Sequence, residues 1–260
     1  MSKTVALSFD DGREDTYTNA WPILKQHGLR GTINVVTDFI RHPERYQEFS
    51  SGGNRAMTAE QLAECQREGM ELACHGSTHQ NTVEDVLKNI AELREMGLSV
   101  ENIGFASPHS ELTMENSAAI RALVEQGTLS YIRTGIQVRR EGLPYACLTA
   151  LERRTHSRGL FYQLNRKNIL PPTPGTFLRS VAITRYTTLE QLRHLISRMK
   201  DGESVILMFH SIRHPGEPGY GADTWYWDAG CFDALCAELA GAEEITVCTT
   251  ADLVRRNMEK

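Results

Sequence analysis

The sequence predicts an α/β protein folded as a distorted (β/α) barrel of roughly seven units, and three observations predict it. Short apolar runs alternate with amphipathic helical stretches along nearly the whole chain. Repeated βα units imply a parallel sheet, and seven or eight of them imply closure. Acids and histidines gather where the runs end, at Asp10-Asp11, at His75 and His79, and at His210; α/β barrels place their chemistry at the C-terminal ends of strands. No linker composition, repeat or low-complexity tract marks a second unit, so residues 1–260 read as one domain.

The elements follow in order. Strands fit at 4–9, 31–36, 70–74, 102–106, 129–133, 180–184, 204–209 and 244–248, and helices at 16–27, 58–68, 82–96, 114–126, 188–200, 230–240 and 250–257. Thr58 with Gln61 and Thr188 with Gln191 match the capping box, in which the cap oxygen satisfies an orphan N–H. Gly28, Gly69 and Gly97 fall just past helices, where a left-handed C-cap favours glycine. Two stretches break the rhythm. Residues 134–178 hold Arg139, Arg140, Arg153, Arg154, Arg158, Arg166 and Lys167 against only Glu141 and Glu152. Residues 211–229 are rich in glycine, proline and aromatics and end in Trp225-Tyr226-Trp227. Loops this long in a compact barrel are often functional.

With 260 residues, 40% of them hydrophobic, and a net charge of −5, the chain can bury an ample core. That charge argues against a nucleic-acid partner recruited by overall positive potential. No run approaches the roughly 18 apolar residues of a membrane span. Read as the natural start, Met1-Ser2-Lys3 enters a strand with no leader pattern, which points to the cytoplasm. The cysteines at 65, 74, 147, 231, 236 and 248 form no CxxC pair and read as buried thiols in a reducing compartment. Strand alternation turns Cys74 away from His75, so it is not counted as a ligand.

His75 and His79, four apart in a post-strand turn, can reach one ion, although two surface histidines would look the same. Asp11 tips the balance. A carboxylate and two imidazoles leave a tetrahedral Zn²⁺ one open position for water, the pattern of catalytic sites. Asp10 beside it is suited to accept a proton from that water, and a turn or cap carboxylate is the alternative for either acid. His210 ends the buried strand Ser204–Phe209 on the same barrel face, where a general acid would be placed.

These residues resemble the polysaccharide deacetylases, the NodB-like group that includes chitooligosaccharide and peptidoglycan deacetylases. The motifs stand in order: Ser8-Phe9-Asp10-Asp11-Gly12, His75-Gly76-Ser77-Thr78-His79, Phe105-Ala106-Ser107-Pro108-His109-Ser110 and Leu207-Met208-Phe209-His210. Pro22-Ile23-Leu24, Gly31–Val36 and the C-terminal Val247–Leu253 also agree, and 134–178 is covered least. The resemblance implies the NodB-like deacetylase fold and a metal-dependent hydrolase that removes N-acetyl groups from a sugar or oligosaccharide. It implies Asp10 as base, His210 as acid, and Asp11, His75 and His79 as ligands of a divalent metal, Zn²⁺ before Co²⁺, Ni²⁺ or Mn²⁺. The backbone N–H of His109 takes the oxyanion position.

The departures carry information. The third motif ends in His109-Ser110 rather than an aromatic-glycine pair, and Ala106 stands where some members carry an arginine paired with the catalytic aspartate. Arg179, ahead of Ser180–Ile183, is the expected substitute for that charge. The fourth motif, Asp-Trp, has no clear match. His109 reads as a substrate contact, a metal-proximal group or a polar loop residue. Trp225 and Trp227 read as a platform for a sugar face or as a packed lid. The basic stretch 134–178 either attracts an anionic substrate, pairs with acids across a homo-oligomer, or is solvated. Two rival functions stay open: hydrolysis of another small or cyclic amide, such as a ureide, and a degenerate metal-binding module without catalysis.

Overall fold

A computed structural model describes residues 2–44, 55–136 and 141–258; Arg139 and Arg140 of the basic stretch lie outside the described residues. Seven parallel strands follow one another around a barrel: β1 (Lys3–Phe9), β2 (Thr32–Val35), β3 (Glu71–Cys74), β4 (Phe105–Ala106), β5 (Ile132–Gly135), β6 (Phe177–Ala182) and β7 (Ser204–Phe209). Pairing of β1 with β7, from Thr4 opposite Ser204 to Phe9 opposite Phe209, closes it. This is the distorted (β/α)7 barrel that the alternation implied.

The distortion lies at the seam between β1 and β2. Only Ser8 and Phe9 pair with β2, while Lys3–Ala6 pair with the last strand, Ile245–Cys248. That strand wedges into the lower seam, and the chain after it is held by Thr250 N donating to Thr32 Oγ1 and Ala251 N donating to Glu71 Oε2. Both stretches that break the rhythm carry secondary structure among the described residues. Helices Leu143–Thr155 and Arg158–Asn165 lie within 134–178. In 211–229 the short strands β8 (Ser211–Arg213) and β9 (Tyr226–Asp228) pair in parallel.

Strand alternation sorts the side chains. Val5, Leu7 and Phe9 with Ile33, Leu72, Phe105, Ile132, Val205 and Leu207 face the helices in the main core. Ala6, Ala73, Tyr131, Leu178 and Ile206 fill the barrel's middle. Tyr131 fits because Gly104 carries no Cβ, which would collide with its ring. Below it, the Tyr131 hydroxyl donates to Glu71 at 2.6 Å. The next inward positions upward are polar and open at the mouth: Asp10, Asn34, His75, Arg133 and Ser180 are all buried there.

Both capping boxes form as expected. Cys65, Cys74, Cys236 and Cys248 are buried, whereas Cys147 is exposed on the Leu143–Thr155 helix. Among the described residues no helix is long and apolar enough to cross a membrane.

Candidate active site at the barrel mouth

The adjacent acids part company through backbone geometry. Asp10 continues the inward series of β1, its N–H donating to Phe209 O at 2.8 Å. At Asp11 the chain turns into the left-handed region, φ 73°, which aspartate tolerates better than most residues. That turn swings the second carboxylate toward the histidines. Asp11 Oδ1 lies 3.5 Å from His75 Nε2 and 3.7 Å from His79 Nε2, and the two nitrogens are 3.2 Å apart.

These three atoms fit a divalent cation. An ion with tetrahedral bonds of about 2.0–2.1 Å holds its ligand atoms about 3.3–3.4 Å apart. His75 Nδ1 sits 2.8 Å from Ala106 O, a contact that requires Nδ1 to carry the proton and leaves Nε2 its lone pair. Asp11 Oδ1 is buried without a hydrogen bond, an expensive arrangement for a carboxylate unless a cation meets it. Its other oxygen accepts from Arg13 Nε at 3.1 Å and Nη2 at 2.8 Å. Burial pushes the Asp11 carboxyl up, but Arg13 and His75 outweigh it and hold the group well below its ordinary value. Burial and the neighbouring His75 push His79 down to about 3, the neutral form that ligation needs. Burial also pushes His75 down, but Asp10 and Asp11 pull it above its usual value; a cation would neutralise that same negative field.

The histidine loop is clamped by a residue the sequence reading did not single out. Asp85 Oδ1 accepts from Thr78 N at 2.9 Å and Thr78 Oγ1 at 2.7 Å, and Oδ2 accepts from Gln80 N at 3.0 Å. Gly76 has φ 81°, and a Cβ there would collide with Asp85 Oδ2. Glycine between the histidines is therefore required twice, by backbone angle and by space. Ser77 Oγ donates to the buried Glu92 at 2.6 Å, and Thr37 Oγ1 donates to the same oxygen.

Asp10 is paired by Arg133, not Arg179. Arg133, 1% exposed, donates from Nη2 to both Asp10 oxygens at 2.7 Å, and from Nη1 to Ser180 Oγ at 3.0 Å. Ser180 faces the interior, so alternation sends Arg179 outside, where it is exposed. The expected charge is present, supplied from β5. Asn34 Nδ2 donates to Asp10 Oδ1 at 2.8 Å. Burial pushes Asp10 up, yet Arg133, helped by His75 and His210, wins and holds it below its ordinary value.

His210 stands at the mouth with its ring 4.5 Å from that of Trp225. Burial drives its imidazole down to about 4, against the pull of Asp11 and Asp10. Trp225 is 39% exposed and borders the mouth. Trp227 does not: it is 3% exposed, packs 5.7 Å from Phe209 and donates Nε1–H to Thr187 O at 2.7 Å. The pairing of β9 with β8 turns it into the core, so it offers no platform. His109, φ 52°, is exposed with its ring 4.5 Å from that of His79.

Residues 1–133 match the family described as polysaccharide deacetylase. The chain belongs to the polysaccharide deacetylase family. Over 77 residues it is 31% identical to YxkH of Bacillus subtilis (strain 168), a protein named as a polysaccharide deacetylase; the match covers 30% of this chain and 24% of that protein. The chain thus spans about a quarter of the length of that curated relative. Its fold is similar to that of a family 4 acetyl xylan esterase from Clostridium thermocellum solved with a cobalt ion. That likeness has 14% identity, a TM-score of 0.52, and covers 97% of this chain and 91% of the other. A variant of the peptidoglycan deacetylase PdaC from Bacillus subtilis is similar over 99% of this chain and 94% of its own, at 14% identity and TM-score 0.50. At such identities the likeness speaks for the fold of this polysaccharide deacetylase family member alone.

Proposed function

We propose that this chain is a metal-dependent hydrolase that removes N-acetyl groups from a sugar or oligosaccharide. One observation carries the reading. Three groups whose ligand atoms could hold one cation (Asp11, His75, His79) share a barrel mouth with a second, arginine-paired carboxylate, Asp10, 3.9 Å from His75. Metal binding alone has no use for that carboxylate. A divalent ion held there, Zn²⁺ by its donor set, would supply Lewis acidity, making water more acidic and the acetamide carbonyl more electrophilic.

The chain's own residues supply the rest. Arg133 keeps Asp10 ionised and fixes its orientation, so the carboxylate can accept the proton of the attacking water. The N–H of His109 is the donor suited to the oxyanion that develops on the carbonyl oxygen. His210, at the mouth beside Trp225, gives a proton to the departing amine. Trp225 beside it offers an apolar face to a sugar ring.

The test is metal analysis of purified protein combined with acetate release from acetylated chitooligosaccharides, run beside small cyclic amides. One equivalent of metal with acetate released only from sugars supports the reading. Turnover of the cyclic amides alone would overturn the substrate class.

A further inference from the structure

Arg13 follows the acidic pair by two residues and is buried, although a charged residue in a turn is ordinarily solvated. Its guanidinium spans two parts of the molecule far apart in sequence. Nε and Nη2 hold Asp11 Oδ2, the outer oxygen of the metal carboxylate. Nη1 donates to Ser211 Oγ at 3.0 Å and to Asp223 Oδ2 at 3.2 Å. Those two residues in turn hold both backbone polar groups of Trp225. Ser211 N donates to Trp225 O at 3.0 Å, and Trp225 N donates to Asp223 Oδ1 at 2.9 Å. The Trp225 ring lies against His210. Arg213, also buried, braces the same segment by facing Asp223 and Asp15 and by donating to Pro218 O.

We infer that Arg13 is a positioning residue that fastens the 211–229 segment to the metal carboxylate, so that Trp225 forms the sugar-binding wall beside His210. The geometry is that of a bracket. One planar cation has a carboxylate on one edge and the two anchors of a single tryptophan on the other, a match suited to the fixed guanidinium fork. Lysine, a single point charge, cannot make both sets of contacts. Charge-assisted hydrogen bonds among buried partners are strong enough to fix the tryptophan's position. The sugar-binding part of the inference rests on the deacetylase reading; the mechanical part does not.

The two parts are tested separately. Emission and acrylamide quenching of Trp225 are obtained by difference from the matching Trp225→Phe protein. Asp223→Asn leaves the Arg13–Asp11 pair intact and should red-shift that signal and make it more quenchable, with metal stoichiometry unchanged. Arg13→Lys should do the same, and remains informative if Arg13→Gln fails to fold. With an acetylated oligosaccharide, Asp223→Asn should raise KM roughly tenfold, the loss of about one charge-assisted hydrogen bond. In a Trp225→Ala background it should raise KM no further, because Asp223 acts through the tryptophan. Unchanged Trp225 signals in both variants, or additive KM losses in the double variant, would overturn the inference. Absence of turnover on every acetylated sugar would instead remove the proposed function, and the fluorescence measurements would still decide whether Arg13 positions the segment.

Discussion

Replacing Arg133 with methionine isolates the electrostatics of the proposed base. The side chain keeps much of its volume but loses the cation that touches both Asp10 oxygens at 2.7 Å. Asp10 then sits buried with Asn34 as its remaining strong donor and with Asp11 nearby. Removing one partner of a buried ion pair costs about 3–5 kcal/mol, because the other charge is left uncompensated. At roughly 2–4 °C per kcal/mol for a chain of this size, the melting temperature should fall by about 6–20 °C. The pH dependence follows from the sign of the shift. In the native protein the Asp10 pKa is depressed, so its contribution to stability is present above the unfolded value and lost as pH falls through the folded one. In Arg133→Met burial dominates and raises the pKa, so ionisation opposes folding and the penalty shrinks as the pH is lowered. Melting curves of metal-stripped native and variant protein from pH 4.5 to 8 should therefore converge toward acid. The acid limb of kcat/KM should move to higher pH in the same variant, while Arg179→Met, altering an exposed residue outside the barrel, should move neither. A stability penalty independent of pH, together with an unmoved acid limb, would refute the assignment of Arg133 as the partner that keeps Asp10 ionised.

Asp10→Asn should lower kcat by about 10²–10⁴-fold, as for loss of a general base, while mass-spectrometric metal analysis still finds the ion bound. His79→Ala should lose the metal itself along with activity, and adding Zn²⁺ or Co²⁺ should restore neither. Gly76→Ala forces a Cβ against Asp85 at a positive φ; it should lower metal affinity about 10–100-fold by disturbing the clamp on the histidine loop, measured by competition with a chelator. Asp15 is half-buried near Arg213, and desolvation raises its carboxyl to about 6. A raised carboxyl favours the folded state below its unfolded pKa and loses that advantage as pH rises through the folded one, so the stability of Asp15→Asn relative to the native chain should grow as pH rises from about 4 to about 6 and level off above it. Melting temperatures across that range check it.

The barrel and the convergence of Asp11, His75 and His79 were legible because both rest on local pattern: buried parallel strands read as apolar runs, and each of the three residues sits at a strand end or in the turn after it. What stayed hidden were charges whose partners are distant in sequence. Arg133 is 123 positions from Asp10, and Arg13 is 210 from Asp223. The strand expected at 129–133 ended on Arg133, where an arginine ordinarily reads as solvated. The observed strand begins at Ile132 and carries it inward on the same face as Tyr131. That alternation was the available signal, since an inward-facing cation must find an anion and Asp10 is among the few inside. Asp85 was hidden differently, because an acid in the first turn of a helix looks like a cap. Its N–H does meet the Thr82 cap oxygen, while its carboxylate turns back to clamp the histidine loop. The same physics explains how Ala106 can stand where some members of the family carry arginine. Holding a base ionised inside a barrel requires a cation at the carboxylate, and any inward position at that height can supply it. The requirement is fixed by where the charge lies, so the strand that bears the arginine is free to change.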